Sequence, residues 1–139
     1  MVENNNSDRA VRYVFVVRHG ERADQAPETR DEWRGHPDAF LVPRGHQQAA
    51  ETAAWLKSEL QQIETTEGRS IDQVFLSCSP FERCMATSSK VGAALGITDI
   101  PINYRYCEFM ATFLYNENPV PKLGLRVKGV EALKESAGI

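Results

Sequence analysis

Residues 13–22 read YVFVVRHGER, and this stretch decides how the rest of the chain is interpreted. The continuous apolar run over residues 13–17 is typical of a strand that is covered on both faces in a parallel sheet. It ends abruptly in Arg18 and His19, whereas strands usually leave a sheet through turns of Gly, Pro, Asn or Asp. A second arginine, Arg22, follows three residues after the histidine. The cluster is either a solvated strand end or a place where an anion binds.

The chain after this stretch alternates between helix and strand patterns. Apolar residues at spacings of three and four predict a helix over residues 44–63. A second strand is predicted over residues 72–77. The helix after it is predicted to open with Ser79 as its N-cap and to stop at Gly96. Residues 101–106 form a weaker third strand. Alternating strands and helices imply parallel crossovers, so the predicted fold is an α/β three-layer sandwich with a mostly parallel central sheet.

Length, charge and composition limit the class of protein. A chain of 139 residues suits one compact domain. We predict a single domain over residues 1–139, with a polar tail at 1–11, a long active-site loop at 23–42 and an irregular tail at 109–139. The net charge of −3 argues against a nucleic-acid partner that binds through bulk basic charge.

The sequence contains no secretory signal and no apolar run of membrane-spanning length. We therefore expect a cytoplasmic protein that binds neither nucleic acid nor membrane. Its acidic residues show no metal-ligand arrangement, so no metal and no other cofactor is expected.

Cationic groups meet at one edge of the predicted sheet. In an open α/β sheet, ligands bind at the carboxyl ends of the strands. Arg18 and His19 follow the first strand, and Arg83 lies in the first turn of the helix after the second strand. A helix N-terminus favours an anion, and the planar guanidinium matches phosphate oxygens. These residues together predict a phosphate pocket.

Four segments resemble the motifs of the histidine phosphatase (phosphoglycerate mutase-like) superfamily and occur in the order of that family. They read VVRHGER, LVPRGHQQAAETAAWL, SCSPFERCMATS and RYCEFM. The resemblance implies a phosphoglycerate mutase-like fold in which His19 is the phosphorylated nucleophile and Arg18 and Arg83 bind the phosphate. It also implies that Glu108 protonates the leaving group. Arg22 is similar to an arginine that lines the pocket in the branch of suppressors of T-cell receptor signalling.

One departure from the family pattern concerns a second histidine. The family places it late in the chain, after a further apolar strand, whereas the histidines here are His19, His36 and His46. We therefore expect that the C-terminal part of the family domain is missing and that turnover is slow. Removal of one preorganised donor from a charged transition state costs on the order of a hundred- to a thousandfold in rate.

Three hypotheses follow. The first is a phosphomonoester phosphatase that acts through a phosphohistidine on His19, and the second is a module that binds phosphate or a phosphopeptide without turnover. The third is an incomplete, inactive fold that is stabilised only by a partner or by self-association through an open strand edge. The expected partner of the first two is a phosphorylated small molecule or a phosphoprotein.

The candidate residues also have purely structural interpretations. Arg83 would then belong to a surface ion pair, Arg22 would be a solvated partner of Glu21, and Glu108 would be a lone structural acid. For His36 and His46 we favour the structural interpretation, as a loop residue and an exposed helix residue. Cys78 and Cys84 are interpreted as packing residues, because no histidine nearby in the sequence would activate them.

Overall fold

Helices make up the regular structure of the part of this protein that the structure describes. The computed structural model describes residues 12–68 and 70–106. Along the chain, α1 spans Arg30–Trp33, α2 spans Pro43–Glu67, α3 spans Glu82–Leu95, and a short 3₁₀ helix spans Tyr104–Tyr106. Helical residues are 49% of the described residues, and none of the described residues belongs to a β-strand.

The predicted α/β sandwich with a parallel sheet is therefore wrong for the described part of the chain. Residues 13–17 and 72–77 have no regular secondary structure. Val14, Val16 and Phe75 are 85%, 93% and 83% exposed, so these apolar runs are not covered on both faces. A strand requires a neighbouring backbone that pairs with its N–H and C=O groups, and an apolar run does not specify that neighbour.

Two isolated β-bridges are the only β-pairings among residues 12–68 and 70–106. One joins Arg22 to Leu41 in the antiparallel sense, and the other joins Cys78 to Ile102 in the parallel sense. Ile102 lies in the predicted third strand, but the chain enters the 3₁₀ helix two residues later. Each bridge fixes two distant chain positions without extending into a ladder.

The two long predicted helices are confirmed. The predicted helix over residues 44–63 is α2, which starts at Pro43 and runs further, to Glu67. Proline suits a first helical position because its fixed φ is helical and its missing N–H is not needed there. Both helices end at glycines in the left-handed region, Gly68 with φ 64° and Gly96 with φ 72°.

The start of α3 differs from its prediction. Ser79 does not cap the helix, which begins at Glu82 after Phe81. The backbone N–H of Glu82 donates instead to Oδ1 of Asp38 at 2.8 Å, across 44 residues of sequence. The local Ser-Pro pattern was misleading because the acceptor for this helix start comes from another part of the chain.

Two small apolar cores hold the described residues together. In the first, α2 packs against α3 through Ala53, Leu56 and Val91. The second lies within the segment of residues 23–42, where Trp33 and Phe40 pack against buried alanines and a valine. The predicted long loop is thus a folded segment with a core of its own.

The base of this segment is closed by backbone hydrogen bonds. The N–H of Ala23 donates to the oxygen of Phe40 at 3.0 Å, and the N–H of Val42 donates to the oxygen of Glu21 at 3.1 Å. Both ends of the segment are therefore fixed beside the residues that follow His19.

Three of our predictions concern residues that the structure does not describe. These are the polar tail over residues 1–11, the irregular tail over residues 109–139 and the role of Glu108. Across the described ranges, no helix combines the length and the apolar character that a membrane crossing requires.

Candidate active site

A backbone carbonyl fixes the imidazole of His19. Nδ1 of His19 lies 2.7 Å from the oxygen of Gly20. A carbonyl oxygen only accepts hydrogen bonds, so Nδ1 carries the proton and donates it to Gly20. In the neutral ring the lone pair is then on Nε2. Nε2 is therefore the nitrogen that can act as a nucleophile.

Gly20 is itself held by α3. Its backbone N–H donates to Oγ1 of Thr87 at 3.3 Å, and the Thr87 hydroxyl donates to the backbone oxygen of Arg83 at 2.8 Å. A Cβ at position 20 would overlap the backbone oxygen of Gly45. Only glycine permits this close approach of two backbones.

The first turns of α2 support the next residue of the motif. The backbone N–H of Glu21 donates to Oε1 of Gln48 at 2.8 Å. A Cβ at Gly45 would overlap the backbone oxygen of Glu21. Positions 45 and 48 lie three residues apart and share one helix face, so one face of α2 shapes the chain that follows His19.

His19 lines a polar cavity of about 390 Å³. The other lining residues come from the motif and from one face of α2: Arg18, Gly20, Glu21, Gln25, Gln48, Ala49 and Thr52. Arg18 is exposed and supplies a guanidinium to this cavity, whereas Arg22 and Arg83 do not line it. The cavity thus joins the candidate nucleophile to one of the three candidate phosphate-binding arginines.

The surroundings of His19 lower the pKa of its imidazole. Burial is the largest cause, because it disfavours the charged ring. The guanidinium groups of Arg83, Arg22 and Arg18 act in the same direction, in that order, while the hydrogen bond to Gly20 opposes them. The neutral form, which is the nucleophilic one, is therefore favoured near pH 7.

Arg83 is a buried cation rather than a surface residue, with 2% of its surface exposed. Its guanidinium lies 4.0 Å from the ring centroid of Phe81, in a cation–π contact. Nη1 lies 3.8 Å from Oδ1 of Asp38, a carboxylate that is only 8% exposed. Asp38 was not predicted as a site residue, because no local signal in the segment of residues 23–42 distinguishes it from the other acidic residues there.

Arg22 pairs with Asp24 and not with Glu21. Its Nε and Nη2 donate to the two carboxylate oxygens of Asp24 at 2.7 and 2.6 Å. This bidentate pair uses two of the five N–H groups of the guanidinium. The remaining three stay compatible with a role in anion binding.

The other two histidines lie apart from the cavity. His36 accepts the backbone N–H of Asp38 on its Nδ1 at 3.3 Å and packs against Trp33, with ring centroids 4.6 Å apart. His46 is an exposed residue of α2. Neither lines the cavity of His19.

The cysteines and acidic residues suggest no additional chemistry in the described ranges. Burial raises the pKa of both the Cys78 and the Cys84 thiols, which disfavours the reactive thiolate. Among residues 12–68 and 70–106, no group of three or more His, Cys, Asp or Glu side chains is arranged to hold a metal ion.

Comparison with known protein families identifies the class of this chain. Residues 14–109 match the model of the histidine phosphatase superfamily (branch 1). Because this match covers more than half of the 139 residues, the chain belongs to that superfamily. Membership supports a phosphatase or mutase-type function. Searches of curated proteins and of solved structures find no match.

Proposed function

We propose that this protein is a phosphomonoester phosphatase that forms a phosphohistidine intermediate on Nε2 of His19. The observation that carries the proposal is the 2.7 Å contact between Nδ1 of His19 and the oxygen of Gly20. That contact assigns the proton to Nδ1 and leaves the Nε2 lone pair for attack on phosphorus. The polar cavity beside the ring supplies room for a phosphomonoester.

In the first step the Nε2 lone pair attacks phosphorus in line with the leaving oxygen. The new N–P bond forms as the P–O bond to the leaving alcohol breaks, and the electron pair of that bond remains on the oxygen. A proton from Glu108 neutralises this oxygen. Glu108 lies outside the described residues, and its role is proposed from the RYCEFM resemblance.

In the second step water attacks the phosphohistidine. The carboxylate of Glu108, left by the first step, accepts a proton from that water while the N–P bond breaks. The electron pair of the N–P bond returns to Nε2 of His19, and inorganic phosphate leaves. His19 and Glu108 then have their starting protonation states.

The arginines are proposed to balance the charge of the phosphoryl group. Arg18 lines the cavity, while Arg83 and Arg22 influence His19 enough to lower the pKa of its imidazole. Fixed positive groups beside a developing negative charge are usually the largest single contribution to such a reaction. This arrangement suits phosphoryl transfer, in which positioning and electrostatics carry most of the catalysis.

Hydrolysis of an aryl phosphate tests the proposal. We expect phosphate release by the wild-type chain, loss of release in His19→Ala, and retention in the matched control His46→Ala, which replaces an exposed histidine of α2. Equal release by the wild type and His19→Ala would overturn the assignment of His19.

Phosphate binding without turnover is a second candidate function. It is favoured by one observation, namely that His19 alone among the three histidines of the sequence lines the cavity. The pocket would then lack a further imidazole donor for the phosphoryl oxygens. Calorimetric binding of inorganic phosphate, with no release from any phosphomonoester, would establish this alternative.

The substrate is proposed to be a phosphorylated small molecule or a phosphoprotein. Within the superfamily, the position of Arg22 supports the branch that is similar to suppressors of T-cell receptor signalling. A comparison of kcat/KM for a phosphotyrosine peptide and a sugar phosphate tests this finer assignment. Preference for the peptide, weakened in Arg22→Ala, is the result that we expect.

A further inference from the structure

We propose that Asp38 is a positioning residue, which sets the place of the Arg83 guanidinium through one shared carboxylate oxygen. The inference rests on the proposed function, because it requires the proposed interaction of Arg83 with the phosphoryl group of that reaction. Asp38 lies in the segment of residues 23–42, far in sequence from Arg83. The segment of residues 23–42 thereby contributes to the site through Asp38.

The burial of Asp38 requires a compensating environment. Its carboxylate is only 8% exposed, and burying a charge is costly unless hydrogen bonds and opposite charge accompany it. Both are supplied to the same atom. Oδ1 accepts the backbone N–H of Glu82 at 2.8 Å and lies 3.8 Å from Nη1 of Arg83.

These two contacts act on the same part of α3. Glu82 is the first residue of the helix and Arg83 is the second, so Asp38 fixes both the helix start and the charged side chain next to it. The Phe81 ring contacts the same guanidinium at 4.0 Å. Two groups from different segments therefore restrict where the Arg83 guanidinium can lie.

The position of Arg83 is connected to the nucleophile through the backbone. The carbonyl oxygen of Arg83 accepts from Thr87, whose Oγ1 accepts the N–H of Gly20. The oxygen of Gly20 in turn accepts from His19. A shift of the first turn of α3 would thus move the Arg83 guanidinium and also the hydrogen bonds that orient the His19 imidazole.

A positioning role and a purely electrostatic role of Asp38 predict opposite changes in phosphate affinity when its charge is removed. If its negative charge only opposed an anion nearby, removal of that charge would strengthen phosphate binding. If Asp38 positions Arg83, its removal leaves the guanidinium less well placed and weakens phosphate binding. The sign of the change in affinity therefore separates the two roles.

Asp38→Asn is the decisive variant. Asparagine caps helices as well as aspartate, so its Oδ1 retains the Glu82 hydrogen bond while the attraction to Arg83 is lost. Asp38→Ser, a second uncharged capping residue, keeps the test available if the asparagine variant does not fold. The matched control is Asp31→Asn, an exposed carboxylate of the same segment whose loss changes the net charge equally.

The measurements are the Kd for inorganic phosphate by calorimetry, the urea unfolding midpoint, and kcat and KM for an aryl phosphate. We expect Asp38→Asn to raise the phosphate Kd and lower kcat by roughly tenfold, the lower end of what losing an orienting outer partner costs a site. The unfolding midpoint should fall although the helix cap is kept, because the buried Arg83 guanidinium loses the opposite charge of Asp38; the phosphate Kd is therefore measured well below that midpoint. If the phosphate Kd of Asp38→Asn equals that of Asp31→Asn, Asp38 acts only as a helix cap. If the Kd of Asp38→Asn is lower, Asp38 acts only as a charge that repels phosphate. Either result overturns the proposal.

Failure of the proposed function is distinguishable from failure of this inference. If the wild type binds phosphate but forms no phosphohistidine, and Asp38→Asn binds phosphate more weakly, the reaction is wrong and the positioning role stands. If phosphohistidine forms and Asp38→Asn matches the wild type in Kd and kcat, the reaction stands and the positioning role is overturned. A wild type that neither binds phosphate nor is phosphorylated overturns both.

Discussion

Thr87 and Gly20 are separated by 67 residues, yet the Thr87 hydroxyl accepts the backbone N–H of Gly20 at 3.3 Å. The carbonyl of the same glycine accepts Nδ1–H of His19 at 2.7 Å. The N–H of Gly20 is thus bonded to α3, and its carbonyl oxygen is bonded to the candidate nucleophile. The orientation of His19 depends on a helix that the local sequence of the motif does not include.

Removal of the Thr87 hydroxyl is expected to impair the site. Thr87→Val keeps the shape of the side chain but leaves the Gly20 N–H without this acceptor, at a cost of about 1 kcal/mol in the free energy of unfolding. Turnover is expected to fall by roughly tenfold, because small misplacements of a nucleophile are costly. Urea unfolding and steady-state kinetics provide the two values.

A second threonine offers the matched control for this experiment. The Thr65 hydroxyl donates to the backbone oxygen of Gln61, four residues earlier, at 2.9 Å in an exposed part of α2. The Thr87 hydroxyl makes the same type of bond to the backbone oxygen of Arg83. Thr65→Val should leave turnover unchanged. If Thr87→Val and Thr65→Val are kinetically alike, the link between α3 and His19 has no role in the reaction.

Gly45 is expected to tolerate no side chain. A Cβ at this position would overlap the backbone oxygen of Glu21, so Gly45→Ala must force α2 and the motif apart. We expect a loss of about 1–3 kcal/mol in unfolding free energy, typical of overpacking, together with weaker phosphate binding.

Gly68→Ala is the control for Gly45→Ala. Gly68 has a positive φ but open space where a Cβ would lie, so alanine there strains the backbone at a cost of about 1–2 kcal/mol without touching the site. Its phosphate affinity should equal that of the wild type. An equal affinity in Gly45→Ala would show that the close backbone contact does not shape the site.

The sequence allowed the helices to be predicted but not the absence of strands over residues 12–68 and 70–106. The pattern of α2 is local, since its apolar residues repeat along one face and a glycine ends it. The runs over residues 13–17 and 72–77 have strand composition, but strand formation depends on a partner elsewhere in the chain. Val16, 93% exposed, illustrates how an apolar run alone fails to specify its environment.

In the candidate site, too, the features that depend on local sequence were predicted and those that depend on distant contacts were not. Arg18, His19 and Arg83 were predicted because each follows an apolar run or opens a helix, and the structure places the histidine in a polar cavity with Arg18. The contacts of Asp38 and of Thr87, which lies in the quoted segment SCSPFERCMATS, were not predicted, because they join parts of the chain that are distant in sequence. Without a known fold, no residue pattern signals such contacts.

The pKa of His19 provides a test that is independent of turnover. Burial and the three arginines lower the pKa of this imidazole, so half-protonation should occur below the ordinary value of about 6.5. Arg83→Gln removes one positive charge that opposes protonation, and the midpoint should therefore move to higher pH. NMR titration of the His19 ring measures both values. A midpoint above 6.5 in the wild type, or no shift in Arg83→Gln, would contradict the described surroundings of His19.

Arg83 is expected to carry much of the phosphate affinity. Arg83 does not line the cavity of His19, but it is proposed to contact the bound phosphate. A charge-assisted contact of that kind is worth about 1.5–3 kcal/mol, so Arg83→Ala should raise the phosphate Kd by roughly ten- to a hundredfold. Arg30→Ala, which removes an exposed arginine paired with Asp31, is the control. Calorimetry that gives equal affinities for the two variants would exclude Arg83 from the pocket.

The position of the phosphoryl group on the phosphorylated protein tests the proposed reaction of His19. After rapid mixing with a phosphomonoester and an alkaline quench that preserves phosphohistidine, mass spectrometry locates the modified residue and ³¹P NMR identifies the modified ring nitrogen. We predict a phosphoryl group on Nε2 of His19, because Nδ1 is occupied by its hydrogen bond to the oxygen of Gly20. A phosphoryl group on Nδ1, on another residue, or on an equal fraction of His19→Ala molecules would contradict the account.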